Sequence, residues 1–96
     1  MRIRFHPEAD AEFQEAIRWY GRQRMGLDAE FVLCVEEVLE RIGRWPEMFP
    51  VVHRHARRAI VRRFPFVIIF EIGHEEIRVL SVFHSRRDPA QWRSRV

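Results

Sequence analysis

The chain has 96 residues, 47% of them apolar, a formal net charge of +3 and one cysteine, Cys34. Such a length supports one domain, 1–96, with one modest core, and excludes a disulfide framework or a multi-cysteine zinc site. The longest apolar run, Phe66 to Phe70, is too short to cross a bilayer, and residues 1–7 lack a signal-peptide core, so a soluble cytoplasmic protein is expected.

Ile3 and Phe5 alternate with Arg2 and Arg4, a strand signal that stops at Pro7. Pro7 suits a first helical position, and Glu8, Asp10 and Glu12 suit the positive end of the helix dipole. Ala9, Phe13, Ala16, Ile17 and Tyr20 recur at spacings of three and four, predicting a helix to about Arg24. Gly26 supplies the turn, and Asp28 is the candidate cap of a second helix. Its stripe is Phe31, Val35, Val38, Leu39 and Ile42, with Gly43 as the stop and Pro46 beyond. The short turn predicts an antiparallel helical hairpin.

Trp45 to Arg58 reads as a loop. Strand signals return at Ala59–Arg62, and Phe66–Ile72 reads as a central strand buried on both faces. Gly73-His74 has the form of a two-residue hairpin turn, and Glu76–His84 is the return strand. Strict alternation there puts Ile77, Val79 and Phe83 on one face, and Arg78, Leu80, Val82 and His84 on the other. The predicted order is β-α-α-β-β-β. That is an α+β domain with a helical hairpin packed on a mostly antiparallel sheet.

All 17 basic residues are arginine, and they are unevenly spread. Residues 1–50 carry seven arginines against ten acids, a balance of −3, whereas 51–96 carry ten against four, a balance of +6. The asymmetry points to an anionic partner at the C-terminal half, although a solvated arginine-rich surface has the same pattern. Paired as predicted, the strands gather Arg57, Arg58, Arg62 and Arg63 with Arg86, Arg87, Arg93 and Arg95 near one edge of the sheet. Arginine's planar fork suits phosphate and acidic protein equally.

His84 beside Arg86 and Arg87 is the candidate for acid–base work on a phosphodiester. A histidine bonded to Asp88 or to backbone at a strand end is the structural alternative. Trp92, between Gln91 and Arg93, can stack on a base or pin the tail to the core. His53-Arg54-His55 lacks a third ligand, Cys34 reads as a packing residue, and nothing calls for a metal or a small-molecule cofactor. Trp19 falls outside the helix stripe.

The segments FHPEADAEFQEAIRWYGRQRMGLDAEF, FPFVIIFEI and IRVLSVFHSRRDPAQWRSR, in this order and spacing, resemble the RelE/ParE family of type II toxin–antitoxin toxins, from about Ile3 to Arg95. The resemblance implies the same β-α-α-β-β-β fold, a cognate antitoxin, and growth arrest by the free toxin. One branch of that family cuts mRNA on the ribosome with sheet arginines and a C-terminal histidine or tyrosine; the ParE-like branch inhibits DNA gyrase. His84 matches the position of a nuclease histidine. Around Val67, however, an apolar residue stands where nucleases place an arginine, Ser85 follows His84 instead of tyrosine, and the only tyrosine is Tyr20. These departures favour the ParE-like branch and a non-enzymatic toxin. If the chain is a nuclease, the catalytic candidates are His84, Arg86 and Arg87. The target-binding candidates are Arg62, Arg63, Arg86, Arg87, Trp92 and Arg93, and the antitoxin-binding candidates Trp19, Arg58, Arg62 and Arg78. The third possibility, a non-toxic basic nucleic-acid-binding module, lacks any docking helix or aromatic RNA-binding motif.

Overall fold

A computed structural model describes all residues 1–96. Strand β1 is Arg2–Phe5, and helices α1, Pro7–Gln23, and α2, Leu27–Arg44, follow. A short 3₁₀ turn, Pro46–Met48, precedes strands β2, Val51–His53, and β3, Ala56–Ile60. The chain then forms β4, Phe66–Ile72, β5, Glu76–His84, and a C-terminal turn of helix, α3, Ala90–Arg93. The five strands lie in the order β1-β5-β4-β3-β2, antiparallel except for the β1–β5 pair. The α+β architecture is the expected one, with one strand added.

Local signals account for the helical hairpin. His6 accepts the Glu8 N–H through Nδ1 at 3.1 Å, and Pro7 opens α1 behind it. Ala9, Ala16 and Tyr20 of α1 and Phe31, Cys34, Val35, Val38 and Ile42 of α2 are buried against the sheet. From the strands, Ala59, Ile68, Phe70, Ile77, Val79 and Val82 complete this main core. Two helix-end expectations are corrected. The α2 cap is Gly26, in the left-handed region at φ 85, where a side chain is disfavoured; Asp28 lies inside the first turn. Gly43 lies inside α2, because the helix runs on until the Trp45 N–H has bonded to Arg41 O at 2.8 Å.

The predicted loop 45–58 contains the missed strand. His53 pairs with Ala56, so Arg54-His55 is a tight turn with Arg54 at φ 53. Arg54 does not advertise that conformation, which normally falls to glycine or asparagine. The β4–β5 turn has three residues instead of two: Glu75 also adopts positive φ, at 57, and β5 begins after it.

The largest correction concerns β5. Ile69 faces Ser81 whereas Phe70 faces Val79, so Leu80 is an extra residue, a β-bulge. Alternation inverts there. Ile77, Val79 and Val82 enter the main core, while Leu80 joins Ala56, Val67, Ile69 and Trp92 in a second core on the open face, with Phe83 packed beside it. His84 thus shares the helix-covered face with Val82, and Phe83 does not.

Candidate functional site

Strand β1 covers only Glu76–Val79 of β5, and the His6 N–H closes the pairing on Val79 O at 2.8 Å. Beyond Val79 the edge of β5 has no strand beside it. Side chains seal it instead. Glu12 Oε1 accepts the Val82 N–H at 3.1 Å and the Ser81 hydroxyl at 2.9 Å. Arg95 reaches over from the tail, donating to Leu80 O at 2.8 Å and to both Glu12 oxygens at 3.0 and 3.2 Å. Glu8 pairs with the same guanidinium at 2.9 Å. An edge satisfied this way is closed to strand addition.

Next to this seal, α1 stands off the sheet and leaves a groove of about 600 Å³. Its walls include Glu12, Glu15, Trp19 and Tyr20 from α1, Phe66 from β4, and Phe83, His84 and Arg87 from the other side. Trp19 is 50% exposed and packs edge-on against Tyr20, with ring centres 5.1 Å apart. Tyr20 is buried against Phe31, Phe64 and Phe66, and that burial raises its phenol above the ordinary value of 10.0. His84 packs its ring on Phe66 at 5.4 Å, and its Nδ1 accepts the Arg86 N–H at 3.1 Å. With Nδ1 an acceptor, the neutral ring carries its proton on Nε2. In the sequence, Asp88 is the one carboxylate near His84, and no tyrosine lies near it. The fold places Tyr20, Glu12 and Glu15 in its groove, a convergence that only the packing of α1 over β5 creates.

The open face of the sheet carries a second recess of about 400 Å³, whose lining includes Arg58, Ile60, Phe83, Trp92 and Arg93. Trp92 is 4% exposed, packed with Phe83 and edge-on to His53, so its ring pins the tail and neither face is free to stack on a base. Asp88 Oδ1 accepts the Ala90 N–H at 2.9 Å, which shapes the turn into α3 and leaves His84 to the backbone.

Several of the arginines in the expected cluster or among the binding candidates have structural partners. Arg57 donates to Glu47 O and Phe49 O, Arg78 grips Glu71 with two hydrogen bonds of 3.0 and 2.8 Å, and Arg95 is held as described. Arg63 pairs with Glu30 at 3.2 Å. Arg62 lies beside the acidic face of α2, near Glu36, Glu37 and Glu40, away from the other candidates. Arg58, Arg86, Arg87 and Arg93 make no ion pair. Arg87 opens on the α1 groove, and Arg58 and Arg93 on the open-face recess. The site candidates therefore divide into two surfaces that meet at the turn after β5.

Glu30 provides a pH test of the hairpin's ties to the loop after β3. The Arg24 hydrogen bond and charge, then those of Arg63, hold its carboxyl below the ordinary 4.5. A lowered folded value stabilises the protein above the unfolded value, and that contribution is lost as pH falls through the folded one. Melting temperature should therefore fall less steeply below about pH 4.5 in Glu30→Gln than in the parent. Parallel curves for the two proteins would show that the pair contributes nothing.

A family model described as "ParE toxin of type II toxin-antitoxin system, parDE" matches residues 3–89. Among solved structures, the fold is similar to "Chromosomal ParDE TA system from P. aeruginosa", with a TM-score of 0.74 and 18% identity over 88% of this chain and 95% of that one. At that identity the likeness speaks for the fold alone. No curated protein matches the chain in sequence.

Proposed function

Because this chain belongs to the ParE toxin family of type II toxin–antitoxin systems, we propose that it arrests growth when free by inhibiting DNA gyrase, and that a cognate antitoxin neutralises it. The observation that carries gyrase over mRNA is the state of His84. Cutting RNA through its 2′-hydroxyl needs a proton acceptor, a proton donor and cations around the phosphate. Arginines supply the cations, but His84 Nδ1 is occupied by the Arg86 backbone N–H, and no side chain hydrogen-bonds the ring as a second proton carrier. Glu12 is taken up by Arg95, Ser81 and Val82. Tyr20, its phenol raised by burial, is a poor base at neutral pH. Val67, at the position where the nuclease branch carries an arginine, is buried in the second core.

On this reading, the arginines without ion pairs at the open face and the following turn, Arg58, Arg86, Arg87 and Arg93, make the target surface. The α1 groove with its exposed Trp19 serves the antitoxin. The test is direct: purified toxin should block plasmid supercoiling by gyrase or trap cleaved DNA, and should leave mRNA intact in a translating extract. Arg86→Ala with Arg87→Ala should weaken gyrase inhibition about tenfold while changing stability by no more than about 0.5 kcal/mol, since both side chains are exposed and unpaired. His84→Ala should cost no more than about threefold, against the hundredfold or more that follows removal of an essential acid or base. Codon-positioned cuts that vanish in a folded His84→Ala protein would replace this reading with the nuclease one.

A further inference from the structure

The recess on the open face of the sheet combines apolar surface with polar groups that have no partner. Most of its lining is apolar, and two of those side chains are turned to solvent, Val52 at 40% and Ile60 at 62% exposure. They come from the neighbouring strands β2 and β3, and Phe83 continues the apolar surface onto β5. Arg58 and Arg93 stand in the same lining, and neither makes an ion pair. Trp92 forms part of the wall, and its buried indole N–H has no acceptor within the chain. Buried donors are normally satisfied. One donor and two cations around an apolar recess have a common complement, an anionic acceptor group carried on an apolar body.

We infer that this recess seats a large apolar side chain from an acidic segment of the toxin's protein target, with carboxylates of that segment on Arg58 and Arg93 and one of its oxygens accepting the Trp92 indole N–H. The inference rests on the target half of the proposed function and deepens it: this face binds the target's protein and not its DNA. Burial decides between the two. A phosphate backbone is hydrated and brings no apolar group to cover Val52, Ile60 and Phe83, so binding it would leave that surface in water. Stacking of a base is closed as well, because Trp92 is packed with Phe83 and edge-on to His53. A carboxylate matches the planar guanidinium fork, and an apolar side chain beside it removes Ile60 from water in the same step. Charge then sets specificity, since a neutral or basic segment would cover both guanidiniums without pairing them. Trp19 and the α1 groove lie on the helix-covered side of the sheet, so a partner there leaves this face free.

The experiment titrates the full chain, isotope-labelled, and follows the Trp92 indole signal by NMR. The first probe is a short acetylated peptide with one phenylalanine between glutamates. Two others carry alanine for the phenylalanine or glutamine for the glutamates, and the fourth is a short DNA duplex. The first peptide should shift the Trp92 signal saturably, the alanine peptide should bind at least about tenfold more weakly, and the glutamine peptide about fivefold. Val52→Thr with Ile60→Thr keeps β-branched side chains on exposed positions, so it should weaken the first peptide about fivefold at an unchanged melting temperature. Expressed without antitoxin, the same variant should need at least about fivefold more inducer to arrest growth. Absence of a Trp92 shift at millimolar peptide, or equal binding of the three peptides, overturns the inference. Duplex binding that shifts Trp92 and is unchanged in the threonine variant also overturns it and makes the face a phosphate surface. Full growth arrest by the threonine variant overturns it too, and if antitoxin no longer rescues that variant, the recess belongs to the antitoxin. Peptide docking beside an unaffected gyrase removes the gyrase assignment alone, whereas gyrase inhibition that the threonine variant fully retains removes the recess alone.

Discussion

Glu12→Ala is expected to destabilise the fold by about 3–5 kcal/mol, the range for breaking a largely buried ion pair from one side. Glu12 is a convergence point: Oε1 alone accepts from Arg95, the Ser81 hydroxyl and the Val82 N–H. Ser81 is fully buried, and the Arg95 side chain is 8% exposed. Removing the carboxylate strands a guanidinium, a hydroxyl and a backbone N–H, and Glu8, on the exposed side of α1, compensates only the first. The Arg95 Nε already lacks a partner, so the tail has no spare hydrogen bonds to draw on. Urea unfolding followed by helical circular dichroism measures the loss, and Glu12→Gln should recover part of it by retaining an acceptor oxygen. A loss below about 1 kcal/mol would mean that the edge seal is solvated and the tail is held by Trp92 alone.

Phe31→Ala should cost about as much, about 3–5 kcal/mol, by a different mechanism. Phe31 is fully buried, and its ring centre lies 4.9 to 5.9 Å from those of Tyr20, Phe66, Phe64 and Phe13. It joins α2 to α1, to β4 and to the segment before β4, so no single element can move in to fill the space. Against a total of about 5–15 kcal/mol for a small domain, the variant would sit near the folding threshold. Phe31→Leu should lose much less, because volume is largely kept. Equal losses for the two variants would show that the aromatic cluster is loose enough to collapse around either. Tyr20 packs directly on Phe31, so the Leu variant also tests whether the floor of the groove depends on this ring.

Sequence periodicity was a good guide wherever a segment's structure follows from which of its own residues avoid water. The stripes of α1 and α2, the apolar run of β4 and the extent of β5 are of this kind, and the hairpin-on-sheet architecture follows from them. Trp19 was visible for the same reason, as the large apolar residue its helix stripe does not use. Strand β2 was not visible, because its turn is made by Arg54 and His55, held at their dihedrals by the pairing they connect.

The functional site was legible as a list of residues and illegible as an arrangement. His84, Arg87 and Trp19 are identifiable from residue type and position, but alternation alone puts His84 on the same face as Leu80. The bulge at Leu80 reverses that, and a bulge is a property of two strands in register, written in neither one. The arginines make the same point. Composition counts ten of them after residue 50, and nothing local separates Arg95, gripped by Glu8 and Glu12, or Arg78, gripped by Glu71, from Arg87, which has no ion pair. By itself, then, the sequence determined the two long helices, the strands other than β2, their order and the sign of the C-terminal surface, because backbone preference and burial act over a few residues. Only the tertiary structure decided which face His84 occupies, which cations stay unpaired and where the groove opens. Those depend on contacts such as Glu12 to Val82, seventy residues apart in the chain.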